Sequence, residues 1–186
     1  MTSFAVFIVL TANMSEYDQH VSQLASQDFF TARKSLRKLE SAGKFAFPAM
    51  LNRINDTRIT NQDVVYVESV FLGNRRVKTT IGTACFMIMR MQLENGRLGA
   101  AAVHYIKPKN IQNWFDDNKQ KSFRDMKIDV LKKTLELVCN DVSKRGIQEN
   151  HLRQIQLISN HIAELKNEGM SEAIRGTILD PTRKSP

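Results

Sequence analysis

Apolar residues recur at intervals of three and four along most of this chain, and that spacing predicts helices. Tyr17, Val21 and Leu24 form a first set, with Ser15 as its N-cap and an end near Ser26. Asp28 stands as the next N-cap. Behind it Phe29, Ala32, Leu36 and Leu39 share one face, and Arg33, Lys34, Arg37 and Lys38 share the other. Gly43 fits the position where a left-handed residue closes a helix. A third helix is expected from Phe45 to Asp56, with Pro48 in its first turn, where a missing N–H is no loss. Asn61-Gln-Asp63 is turn-like. Residues 64–72 are rich in Val, Tyr and Phe and favour a strand by propensity, but no second clear strand is visible to pair with them. The pattern leaves helix and extended segment both open there. Gly73 and Asn74, with Arg75, Arg76 and Lys78, read as a basic loop.

Residues 81–94 are apolar almost all round, which predicts the central, most buried helix, capped by Thr79 or Thr80 and ended by Asn95-Gly96. A connector over 97–107 has room for a short Ala-rich helix at Leu98–His104. Pro108 opens a helix in which Ile111, Trp114 and Phe115 share a face. Ser122 begins another, with Phe123, Met126, Ile128, Val130, Leu131, Leu135 and Val138 as its apolar set and Asp125 at the capping-box position. Its end is expected at Lys144-Arg145-Gly146. From Glu149 to Asn167, Leu152, Ile155, Ile158, Ile162 and Leu165 make a seam about two heptads long. That seam packs on the domain or serves dimerisation through residues 149–167. A short helix at Ser171–Ile178 and a basic tail, Pro181 to Pro186, complete the chain.

The expected architecture is therefore all-α, with a helical domain over 15–146 and a C-terminal amphipathic helix and basic tail over 147–186. Eight Gly and four Pro among 186 residues suit long helices and argue against a loop-rich chain. Residues 1–14 stand apart. Phe4 to Ala12 is uncharged and apolar, like the core of an export signal, but no Lys or Arg precedes it. It reads as a truncated signal-like segment or a terminal apolar segment, and an exported or periplasmic location is favoured over the cytoplasm. The run is too short to span a bilayer, so stable membrane insertion is not expected.

The stretch from Leu24-Ala-Ser-Gln-Asp28 to Asn55-Asp56-Thr57-Arg58 joins a small-polar-Asp turn to a helix bearing Arg and Lys, then Gly43, then Pro48-Ala49 and Leu51, and closes on Asn-Asp. Over residues 24–58 it resembles one repeat of the HEAT family, in which two antiparallel helices pack as a hairpin. Residues 60–145 do not lie on the same template, so the resemblance implies a HEAT-like hairpin continuing into an irregular helical bundle. It also implies binding, since stacked helix hairpins present extended surfaces to proteins or nucleic acids. Some HEAT-like DNA glycosylases pair an Asp with Trp residues, which draws attention to Trp114 beside Asp116 and Asp117. Such enzymes use several aromatics in one groove, and this chain has one Trp.

Charge and candidate chemistry sharpen the picture little. A net charge of +8 favours acidic partners. The basic-patch candidates are Arg75, Arg76 and Lys78, and a second group of Lys107, Lys109, Lys119, Lys121 and Arg124, interleaved with Asp116, Asp117 and Asp125. His20, His104, His151 and His161 show no ligand or triad spacing, and no nucleophile elbow or phosphate loop is present. Cys85 and Cys139 both sit in apolar runs and are expected to be buried thiols, with a single disulfide between them as the alternative in an oxidising compartment. No catalytic residue, metal site or cofactor is expected. The expectation is a non-catalytic helical scaffold that binds a protein partner, with nucleic-acid binding as the alternative.

Overall fold

A computed structural model describes residues 16–65, 67–69, 75–94 and 102–179, with backbone alone for 67–69, 75–76 and 169–179. Helices dominate. Helix α1 runs over 16–23, α2 over Phe29–Ala42, α3 over Phe47–Asn52, α4 over Ile81–Leu93, α5 over Ile111–Asn118, α6 over Phe123–Arg145 and α7 over Glu149–Leu179. One short antiparallel pair, β1 (Val67–Ser69) and β2 (Arg75–Val77), accompanies them. The chain divides into two compact units. The first holds residues 1–92 and 108–123, and the second 93–107 and 124–186. The Ser15 cap, the 1–14 segment, Asn95-Gly96 and the 181–186 tail lie outside the described residues.

In the first unit, Asp28 caps α2 by accepting the Thr31 N–H at 2.8 Å. Ala32 and Leu39 are fully buried, while Phe29 and Leu36 are only partly covered. The inward face is turned toward Ser35 instead, which is buried and donates to Gln23 Oε1 at 2.7 Å; His20 Nδ1 lies 3.2 Å from the same hydroxyl. This polar junction ties α1 to α2. Gly43, with φ 59°, then turns the chain into a 3-10 segment at Gly43–Ala46, a backbone conformation that a side chain would strain. Pro48 sits in the first turn of α3 as expected. The third helix is shorter than its sequence pattern, ending at Asn52, because residues 53–60 leave helix to run across the start of α4.

That crossing anchors α4. Ile81 N–H donates to the Arg58 carbonyl at 2.8 Å and Gly82 N–H to the Asp56 carbonyl at 2.9 Å, while Thr80 Oγ1 accepts the Thr83 N–H at 3.2 Å. Three orphan donors of the helix are thereby satisfied. A Cβ on Gly82 would fall on the Ile54 carbonyl, so only glycine permits this approach. Ile81, Ala84, Cys85, Met89 and Leu93 are fully buried, and α4 is the most apolar, most enclosed helix, as its pattern predicts. Met91, half exposed, marks its one open side.

Residues 64–72 are settled as a strand in part. The partner of β1 is the segment expected to be a basic loop, with Val67 opposite Val77, Glu68 opposite Arg76 and Ser69 opposite Arg75. Backbone hydrogen bonds between short neighbouring segments suffice for this pairing, and two adjacent arginines carry no alternating apolar signal to announce it. A separate bridge joins Ile59 and Thr80, braced by buried Thr60, which donates to the Thr79 carbonyl at 2.9 Å. Asn61 reaches back to α1, its N–H donating to the Leu24 carbonyl at 2.7 Å. In α5, Ile111, Trp114 and Phe115 are all buried, and Phe47 stacks at a tilt on Phe115.

In the second unit, α7 folds back on α6 after residues 146–148. Leu131 of α6 packs with Ile158 and Leu165 of α7, flanked by Ile128, Leu135 and Ile162. The 149–167 seam is thus largely occupied within the chain, while Leu152 at its start stays exposed. Helix α7 runs on through residues 171–178 without the break expected there. Residues 102–107 are irregular, not helical, and Gln154 of α7 holds them by donating to the Val103 carbonyl at 2.7 Å and accepting the Val103 N–H at 3.2 Å.

The two cysteines differ. Both are free thiols; Cys85 is buried, and Cys139 is exposed on α6, contrary to the expectation of two buried thiols. The apolar run at 137–139 crosses a helix surface, and only Val138 faces inward. Burial, with the Asp56 charge nearby, pushes the Cys85 thiol from 9.0 up to about 12. Native protein at pH 8 should therefore take up one equivalent of a thiol reagent, at Cys139, and a second only when denatured. The unfolded chain ionises this thiol near pH 9 and the folded chain does not, so Cys85 should cost stability progressively from about pH 9 to 12; an unchanged alkaline profile in Cys85→Ala would refute it. Gly82→Ala should destabilise by about 1–3 kcal/mol in denaturant titration, because the collision is with backbone.

Candidate binding surface

Helix α2 carries Arg33, Lys34, Arg37 and Lys38 on its outward side, all exposed, with Phe30 one turn ahead of them at 78% exposure. The helical period produces this stripe: once Ala32, Ser35 and Leu39 turn inward, positions 30, 33, 34, 37, 38 and 41 must face out. Those six residues line one open depression. Among the described residues no salt bridge reaches the four cations. Arg33 lies over the Phe29 ring at 5.6 Å, and Phe29 meets Phe30 edge to face at 5.5 Å, so the exposed ring is propped from behind. Arg37 is within electrostatic reach of Glu40, whose carboxyl partial burial pushes above the usual range against the pull of that arginine. At the other end, the Thr31 hydroxyl and N–H hold the Asp28 carboxyl below it.

Arg33 with Arg37 and Lys34 with Lys38 are like charges one turn apart, which disfavours the helix. On the helix itself only Glu40, three residues after Arg37, offsets them. Such a face is costly by itself and gains from an anion laid along it.

The basic residues singled out by sequence are placed less favourably. Arg75 and Arg76 form β2, where the register sets Arg76 opposite Glu68, and Lys78 is exposed just beyond. Lys119 pairs with Asp116 at 3.3 Å. Lys121 is exposed, and its carbonyl accepts from Lys44 Nζ at 2.6 Å. Arg124 is partly buried at the start of α6 and belongs to the second unit. Lys119 and Lys121 follow the end of α5.

Trp114 is buried, and Asp116 is an exposed carboxylate held below its usual range by Gln112 and then Lys119. Each histidine has a carboxylate neighbour that sequence spacing did not reveal: Glu16 for His20, Glu94 for His104, Asp141 for His151 and Glu164 for His161. The Glu94–His104 pair is the tightest, at 2.8 Å, and Glu94 is buried. Among the described residues no group of three His, Cys, Asp or Glu could hold a metal ion, and no helix is long and apolar enough to cross a membrane. No family model, curated protein or solved structure matches this chain.

Sequence reasoning saw the cations of α2 as the polar half of an amphipathic helix and passed over them as a site. The available signal was Phe30, an aromatic at a position the helical period assigns to the cationic side. Lys34→Glu, which sets a carboxylate one turn before Lys38, should raise stability by about 0.2–0.5 kcal/mol in thermal or urea unfolding. A loss of stability would mean that the stripe serves the fold.

Proposed function

We propose that this chain is a non-catalytic helical scaffold that holds an acidic partner against the outward face of α2. The observation that carries this reading is the set of four exposed cations, Arg33, Lys34, Arg37 and Lys38, none of them in a salt bridge among the described residues, on two turns of one helix beside exposed Phe30. Positive potential summed over such a stripe attracts acidic macromolecules and orients their approach. The net charge of +8 acts in the same direction at longer range.

The hairpin reading supports this role. Helices α2 and α3 follow one another across the tight turn at Gly43–Ala46, with Asp28 capping the first and Pro48 opening the second, in keeping with a single HEAT-like hairpin. In proteins of that kind stacked hairpins present extended concave surfaces to their partners.

Retention on immobilised heparin, a simple polyanion, tests the surface. The Arg33→Gln/Arg37→Gln variant should elute at clearly lower salt than wild type, and by a wider margin than Arg75→Gln/Arg76→Gln. Equal elution of wild type and the α2 variant, or a larger effect from the β2 pair, would overturn the assignment of the surface.

A further inference from the structure

We infer that the acidic partner held on α2 is single-stranded nucleic acid, with Phe30 as the platform on which a base stacks and the cations behind it as phosphate contacts. This rests on the proposed binding surface and gives its partner a chemistry. It also replaces the protein partner expected from sequence.

The choice follows from what exposed cations can do. An exposed Lys or Arg paired with a single carboxylate contributes roughly 0–1 kcal/mol, because water screens the pair and two side chains must be ordered. A protein partner would need a central apolar cluster to supply the rest. The stripe provides only one large exposed apolar side chain, Phe30, followed by Arg33, Lys34, Arg37, Lys38 and Ser41. A nucleic-acid strand is different, because each phosphate neutralised releases condensed counterions and exposed cations are then effective. Phosphate contacts also demand no apolar core.

Phe30 selects the single strand. A paired base offers its edge in a groove, whereas an unpaired base offers its face, and an exposed ring among cations is the arrangement that stacks it. The ring stands at one end of the stripe, with Arg33 and Lys34 about one turn away and Arg37 and Lys38 about one turn further, each turn about 5.4 Å. A strand entering over Phe30 would meet the cations in succession.

Fluorescence anisotropy of a labelled oligouridylate of about twelve nucleotides, titrated with the full chain, tests this. Four phosphate contacts give a salt slope of about −2.8, so affinity should fall about 50-fold between roughly 50 and 200 mM salt. Phe30→Ala should weaken binding by about fivefold or more, and Phe30→Trp should restore it, since stacking needs only an aromatic face. Circular dichroism should be unchanged in both variants, as the side chain is exposed. If Phe30→Ala binds like wild type, if polyglutamate competes as well as the oligonucleotide, or if a duplex of equal length binds more tightly, the inference fails. Should heparin retention still depend on Arg33 and Arg37 in any of those cases, the surface stands and only its partner changes. Loss of both would remove the surface as well.

Discussion

Helix α4 has almost no polar face to offer to water, and the first unit is organised around that constraint. A helix enclosed on nearly every side must still satisfy the N–H groups of its first turn, and here the backbone of residues 56–58 and the Thr80 hydroxyl do so. The approach is close enough that residue 82 has no room for a side chain. Asp56, whose carbonyl takes one of these bonds, is itself fixed by Arg58, which donates to its carboxylate at 2.7 Å and holds that carboxyl below its usual range. A carboxylate near the start of a helix also complements the helix dipole. The same crossing strand continues into the bridge at Ile59 and Thr80 and the tie from Asn61 to α1. The segment after α3 therefore ties the end of α1 to the start of α4.

Helix α2 has the opposite character. Its inward face is narrow, consisting of Ala32, Leu39 and a hydrogen-bonded serine, and its outward face repels itself. The helix persists because the N-cap, the turn at Gly43 and the burial of Leu39 outweigh a few tenths of a kcal/mol per like-charge pair. Stability thus leaves the outer residues unconstrained, and charge and an aromatic ring can accumulate there without harm to the core. The second unit shows a different economy of polar groups. His151, Gln154 and His161 lie on the buried side of α7 with Ile158 and Leu165, and each finds a polar neighbour. That side of α7 locates residues 102–107 and the end of α6 by hydrogen bonds as well as by apolar contact.

Much of the fold was legible in the sequence. The period of three and four placed α2, α5, α6 and α7, an all-round apolar run placed α4, and the caps at Asp28 and Thr80 and the turns at Gly43 and Gly146 have the local chemistry that such ends require. The candidate surface was half legible: the four cations and Phe30 share a side by the helical period, but that no salt bridge among the described residues reaches those cations was not. Phe29 and Phe30 are adjacent and identical, but with Ala32, Ser35 and Leu39 inward the helical period leaves Phe29 at the margin of the buried face and Phe30 on the outward side. The emphasis on Arg75, Arg76 and Lys78 came from density of charge along the chain, and density does not report that two of them form a strand.

What the sequence determined by itself was local: where helices begin and end, which helix is apolar all round, and which polar residues share a side. These depend on interactions within one or two turns and so are written in neighbouring residues. Tertiary structure alone decided that β1 pairs with an arginine-bearing segment, that Cys139 faces water while Cys85 does not, and that His104 meets Glu94 and His151 meets Asp141. Each of these joins residues about ten positions apart, or assigns a side chain to water or core. No rule of spacing covers them, because packing between elements, not periodicity within one, chooses which groups meet.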